Sequence, residues 1–223
     1  MEQRLKLINQ FKELFLPYKF ALDYLSTTIE HINEEAMHVY DYNPIEHIKT
    51  RLKSPESVIS KLQRKGLPIE FASAKQHLSD IVGVRIICSF VSDIYDLYEI
   101  LRSRHDIKII ECKDYIKSPK PNGYQSLHLI VEVPILLSKG TERVLAEIQL
   151  RTLGMDFWAS LEHKIFYKYN KDIPERLKRE LYEAANMTVQ LDAKMKAISD
   201  EVGHLSSPYA MRTVSMKQNV NRG

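Results

Sequence analysis

Cysteine is scarce in this 223-residue sequence: Cys88 and Cys112 are too few for a disulfide framework, which points to a reducing compartment. With 7 Gly and 9 Pro there is no collagen-like or low-complexity tract, and no internal repeat. No apolar run approaches the ~18 residues of a membrane span, and Met1 leads straight into charged residues, so neither a span nor a secretory leader is expected. The expected location is the cytoplasm. A net charge of only +3 argues against a nucleic-acid coat protein. What remains is 44% hydrophobic and 27% charged, the profile of one folded domain with helical additions and a real core.

The small net charge hides an uneven distribution. Residues 49–65 carry Lys49, Arg51, Lys53, Lys61, Arg64 and Lys65 against the single acid Glu56, five positive charges in excess. The tail from Gly203 adds Arg212, Lys217 and Arg222 without an acid, so the rest of the chain is five negative. One concentrated cationic segment suggests a local anion site, although a solvated basic face has the same composition.

Helical spacing of Leu5, Ile8, Phe11 and Phe15, then of Ala21, Leu25, Ile29, Ile32 and Ala36, predicts a helical arm over 4–40 interrupted at Pro17. Asn43-Pro44 closes it. Ser54-Pro55-Glu56 reads as a helix start, with a capping serine, proline at the first position and an acid at the positive end of the dipole. Val58, Ile59 and Leu62 then share one face, Ser57, Lys61 and Arg64 the other, and Gly66 ends the helix. The basic segment is thus expected on the rim of an amphipathic helix, with Arg51 and Lys53 on its approach. After a short helix near 73–79, four strand-like runs follow: 82–90, 107–115, 126–133 and 143–150. A helix is expected at 92–104, an irregular link at 117–124, and helices at 156–169 and 174–202. The implied organisation is α+β. A helical extension over 1–43 precedes a domain over 44–170 with a sheet of four or five strands, followed by a helix over 171–203 and a flexible tail over 204–223.

Two carboxylates sit in informative places. Asp80 immediately precedes the first strand-like run, in D-I-V-G-V-R. Glu147 lies inside the last one, where alternation puts Glu147, Gln149 and Arg151 on one face and Ala146, Ile148 and Leu150 on the other. An acid in an apolar strand is costly to bury unless paired or metal-bound. Two hard oxygen ligands, with the remaining coordination left to water and phosphate, describe a Mg²⁺ site; a pair between Glu147 and Arg151 or Arg85 is the alternative. In the loop P-K-P-N-G-Y-Q-S-L-H, Lys120 can meet a phosphate, Gly123 allows close backbone approach and Tyr124 offers a flat face to a base, with His128 four residues on. Each of these alone is equally a turn, a core ring or a structural histidine.

In order along the chain stand R-x-K-S at 51–54, K-x-x-R at 61–64, D-x-x-G-x-R at 80–85, K-P-N-G-Y-Q-S-L-H at 120–128 and E-I-Q-L-R-T at 147–152. Together they resemble the synthetase domain of the RelA/SpoT family, and within it the stand-alone small alarmone synthetases of RelP type, over about residues 15–200. The resemblance implies a nucleotidyltransferase-like mixed sheet flanked by helices. It also implies transfer of the β,γ-diphosphate of ATP to the ribose 3′-hydroxyl of GDP or GTP, giving ppGpp or pppGpp and AMP. Carried onto this chain, Arg51 and Arg85 would sandwich adenine, while Lys53, Ser57, Lys61 and Arg64 would hold the ATP phosphates. Asp80 and Glu147 would hold Mg²⁺, with Glu147 also helping to deprotonate the attacking hydroxyl. Tyr124 would stack on guanine, and Lys120, Asn122, His128 and Gln149 would line the acceptor site.

Bifunctional members of that family carry a hydrolase domain with H-D and E-D metal motifs. Here the sole His-Asp pair is His105-Asp106 and there is no Glu-Asp pair, so hydrolysis is not expected. Asp156, Glu162 and His163 read better as helix-packing residues than as part of the acceptor pocket. The amphipathic flanks suit subunit contact, and the resemblance implies a homotetramer. His31 and His38, seven apart, read as surface residues rather than a zinc site. A toxin-type synthetase acting on tRNA or adenine nucleotides, and a catalytically silent nucleotide- or RNA-binding regulator, are the competing readings. Intact Asp80 and Glu147 speak against the silent regulator, and the three charges of the tail are thin support for RNA contact.

Overall fold

The computed structural model describes residues 15–167 and 173–206. The expected helical turns before Phe15 and the tail beyond Ser206 lie outside the described residues. The first described helix, α1 (Leu16–Tyr40), has Pro17 in its opening turn, where no backbone donor is required. Pro17 therefore begins this helix. Asp41, at φ 50°, ends it in the left-handed conformation. Tyr18, Ala21, Leu25, Ile29, Ile32 and Ala36 form its buried stripe.

Five strands form one mixed sheet: β1 (Ile45–Leu52), β2 (Val82–Cys88), β3 (Lys108–Asp114), β4 (Leu127–Leu137) and β5 (Gly140–Thr152). Their spatial order is β1-β2-β5-β4-β3, with β2 and β5 parallel and the other neighbours antiparallel. The helices between them are α2 (Pro55–Arg64), α3 (Phe71–His77) and α4 (Val91–Ser103), and the sheet is followed by α5 (Leu153–Tyr167) and α6 (Glu175–Ser206). The expected α+β organisation holds.

One expectation needs correction. The approach to α2 is itself a strand, the edge strand β1 carrying Lys49 and Arg51, where the sequence marks none, while Lys61 and Arg64 stand on α2 as expected. A charged, largely exposed edge lacks the apolar run that marks an inner strand, and charge on an edge also blocks strand addition from another chain. Ser54 caps α2 as read from the sequence, accepting from the Ser57 amide.

The sheet has one dry face and one chemical face. Val82, Val84, Ile86, Leu127, Leu129, Val131, Ala146, Ile148 and Leu150 are buried in one core with residues of α1 and α4. Period-2 alternation sends the intervening residues of β2, β4 and β5 to the opposite face. The helix α5 packs on β5 and β2, and α6 packs on α5. These last helices keep Phe157, Ile165, Met187 and Leu191 exposed. No helix among the described residues is long and apolar enough to cross a membrane.

Candidate active site

Strand register assembles the chemical face in rows. Gly83 lies beside Arg51 on one side and Glu147 on the other, and Glu147 lies beside Ile130. The next row runs Lys49, Arg85, Gln149, His128, Lys113 across all five strands. Residues far apart in sequence are thus brought side by side by backbone pairing alone.

Glu147 is the meeting point of two clefts. One, of about 210 Å³, is lined by Lys49, Arg51, Gly83, Arg85, Glu147 and Gln149. The other, of about 280 Å³, is lined by Lys61, Asp80, Glu111, Lys113, Tyr115, Lys120, His128 and Glu147. The Glu147 carboxylate faces His128 Nδ1 at 3.4 Å and accepts from Gln149 Nε2 at 3.1 Å. The His128 contact, helped by Gln149, holds Glu147 below the usual carboxylate range against the opposing effects of burial and of nearby Asp80. The alternative pairing of Glu147 with Arg85 or Arg151 is not what forms, since both arginines turn to Asp156.

Asp80 stands just before β2. Burial works to raise its pKa, but the ammonium groups of Lys61 at 2.6 Å and Lys53 at 3.0 Å, both on Oδ2, outweigh burial and hold it low. Its Oδ1 is buried with no hydrogen-bond partner. An ionised oxygen left unsatisfied next to a second carboxylate on the same cleft wall has the chemistry of a hard-cation ligand, so the Asp80–Glu147 pair fits Mg²⁺. Among the described residues there is no cluster of three or more His, Cys, Asp or Glu side chains able to hold a metal, and His38 instead contacts the Glu34 carbonyl. Ser57 and Arg64 remain on the exposed side of α2.

The loop before β4 forms an aromatic and cationic cluster. Tyr124 Oη lies 2.7 Å from His128 Nε2 and accepts from Arg151 Nη2 at 2.7 Å. The Arg151 guanidinium lies 5.1 Å and the Lys120 ammonium 4.9 Å from the centre of its ring. Tyr115 meets the edges of both Tyr124 and His128. Asn122 donates to Glu162, at 3.3 Å. Gly123 has φ +89°, and an added Cβ would sit 2.6 Å from that of Ala185. Its close approach is therefore to α6. Gln149, expected beside the acceptor, faces the first cleft and accepts from Arg151.

The packing role read for Asp156 is too small. This buried side chain, in the first turn of α5, accepts from Arg151 at 3.0 Å, Arg85 at 3.1 Å and Lys49 at 3.2 Å. Lys49, Arg151, Tyr115, Lys113 and Glu111 were not among the expected site residues. For Arg151 and Lys49 the signal existed, because each continues the alternation of a residue that was recognised, Arg151 after Glu147 and Gln149, and Lys49 two places before Arg51. Lys113 shows itself only through the pairing of β3 with β4.

Comparison with known proteins identifies the family. The family model described as the region found in RelA / SpoT proteins matches residues 50–172. GTP pyrophosphokinase YwaC of Bacillus subtilis is 52% identical over 202 residues, covering 91% of this chain and 96% of the relative. The crystal structure of small alarmone synthetase 1 of B. subtilis bound to its product pppGpp superposes with a TM-score of 0.80 at 37% identity, covering 87% of this chain and 99% of that one. The same enzyme bound to AMPCPP gives 0.72 at 34% identity, covering 87% and 98%. With the ordered motifs, the sheet and the paired acids all in place, the chain belongs to the RelA/SpoT family.

Proposed function

We propose that this protein is a GTP pyrophosphokinase that moves the β,γ-diphosphate of ATP onto the 3′-hydroxyl of GDP or GTP, producing ppGpp or pppGpp and AMP. The observation that carries the reading is Glu147 as the shared wall of a guanidinium-lined cleft and a lysine-lined cleft. The names of the similar proteins, and the pppGpp and AMPCPP held by one of them, support the same chemistry.

On the donor side, the Arg51 and Arg85 planes take adenine, which a guanidinium can stack on and an ammonium cannot. Lys53 and Lys61 exchange part of their hold on Asp80 for the phosphates, with Ser57 and Arg64 reaching from α2. Asp80 and Glu147 would hold Mg²⁺, which when bound neutralises charge on the transferred diphosphate. On the acceptor side, guanine stacks on Tyr124 by displacing Lys120 or Arg151 from its ring, and Lys120, Asn122 and His128 orient the nucleotide. Gln149, which faces the guanidinium cleft, holds the Glu147 carboxylate by its hydrogen bond. Glu147 takes the 3′-hydroxyl proton as that oxygen bonds to the β-phosphorus. The bond from that phosphorus to the α,β-bridging oxygen breaks, and AMP leaves. Catalysis of this kind rests on in-line positioning and charge neutralisation. The exposed apolar residues of α5 and α6 support assembly into a homotetramer, and the working compartment is the cytoplasm.

The test is direct. Incubation with ATP, Mg²⁺ and each of GMP, GDP and GTP, with products identified by mass, gives AMP and a guanosine 3′-diphosphate. Failure to form AMP with any guanosine acceptor overturns the assignment, and labelled tRNA or adenine nucleotides in parallel expose a different acceptor.

A further inference from the structure

Asp156 is bonded at once to residues of both proposed subsites. Its Oδ1 accepts from Arg85, which lines the guanidinium cleft, and from Arg151, which reaches the acceptor cluster. Its Oδ2 takes Lys49 of the same guanidinium cleft. From Arg151 the contacts continue to Tyr124, then His128, then Glu147. The Arg151 guanidinium is itself buried, and its other bonds go to Tyr124 and Gln149. The Nε atoms of both Arg85 and Arg151 lack partners, so among the described residues Asp156 is the carboxylate that fixes both planes. A buried carboxylate against three cations is held by strong, directional bonds. Loss of its charge would leave the buried Arg151 guanidinium, and the partly exposed one of Arg85, without their counter-ion.

We propose that Asp156 is a positioning residue for both nucleotides: it presents the Arg85 plane to the donor base and, through Arg151, sets the Tyr124 ring for the acceptor base. This rests on the assignment of Arg85 to the donor and Tyr124 to the acceptor. Residues acting as one unit give non-additive losses, which makes the idea measurable.

The experiment titrates AMPCPP and GDP separately into the full-length protein by calorimetry. Arg85→Ala is expected to weaken AMPCPP, and Tyr124→Ala to weaken GDP, each with the other nucleotide little changed. Asp156→Asn is expected to weaken both, by about three- to tenfold. In the Arg85→Ala background it adds little further loss for AMPCPP but keeps its full loss for GDP. Leu25→Ala, a destabilising change in the distant core, controls for loss of stability and should leave both affinities unchanged. Arg151→Lys keeps the charge beside Asp156 but cannot bond Asp156 and Tyr124 with one planar fork, so it should weaken GDP alone. It decides the acceptor branch of the proposal even if Asp156→Asn does not fold. Should Arg85→Ala and Tyr124→Ala not separate the nucleotides, the subsite assignment fails. Should they separate them while Asp156→Asn affects one nucleotide or neither, or Arg151→Lys spares GDP, the role of Asp156 is overturned.

Discussion

The two clefts that meet at Glu147 differ in the kind of cation they use. The first has Arg51 and Arg85 as its lining guanidiniums, with Lys49 beside them. The second has Lys61, Lys113 and Lys120, set among Asp80, Glu111 and Glu147. Arginine offers a weakly hydrated plane suited to a purine, whereas lysine offers a compact charge on a flexible stem suited to phosphates. Net charge could not distinguish these surfaces; side-chain shape does. On the proposed assignment the donor base and the transferred phosphates take different clefts, and Glu147, the proposed base for the acceptor hydroxyl, lines both.

The largest expected effect removes that dividing acid. Glu147→Gln keeps size and hydrogen bonding but cannot take a proton, so turnover should fall by about a thousandfold. AMPCPP and GDP should still bind within roughly threefold of wild type in calorimetry, because most cleft contacts are untouched. Rates near wild type would remove Glu147 from the chemistry and, with it, the meaning of the boundary.

An intermediate effect tests whether shape rather than charge distinguishes the clefts. Arg51→Lys preserves charge and should raise KM for ATP about tenfold while leaving that for GDP nearly unchanged. Tyr124→Ala should do the opposite, by a similar factor, through lost base stacking. Equal losses for both substrates in either variant would show that the Arg51 plane and the Tyr124 ring do not serve separate bases.

The smallest effect lies outside both clefts. Asp192 on α6 accepts from Thr152, which also caps α5 through the Met155 amide. Burial raises the Asp192 pKa, only partly offset by Thr152. The folded state thus prefers the protonated acid, and stability declines as pH rises from the ordinary aspartate value through the raised one. Asp192→Asn should raise Tm by about 2 °C at pH 8, a modest gain because the group is only half-buried, and by nothing at pH 3. Steady-state constants should not move, which thermal melts and initial rates can check together.

Much of this arrangement was legible in the sequence because alternation is a local signal. The inner strands announce themselves through Val, Ile and Leu, and β5 shows Glu147 and Gln149 on the polar side of its pattern. Strand β1 was not legible, since Lys49, Thr50 and Arg51 carry no apolar run and the edge is recognised only by its partner β2. Asp156 escaped for a related reason. Its three cations come from β1, β2 and β5, and nothing within a helical turn of it in sequence reveals that convergence. Spacing exposes what one element does by itself, whereas a charge cluster drawn from three strands and a helix belongs to the tertiary structure.

The 13-residue strand β5 sets a rule for how this chain can change length. Ala146, Ile148 and Leu150 seal the core, while on the other face Glu147 and Gln149 line the clefts and Arg151 bonds Asp156 and Tyr124. One residue inserted before Glu147 would invert that assignment, driving three polar groups into oil and three aliphatic ones into the site. Lineages descending from such a sequence can gain or lose residues at the Ser138–Lys139 hairpin tip, where the backbone already turns, but β5 must be inherited at constant length. In this protein the strand acts as a frame of reference: substitutions along it can be judged one at a time, but a shift in its count cannot be repaired one side chain at a time.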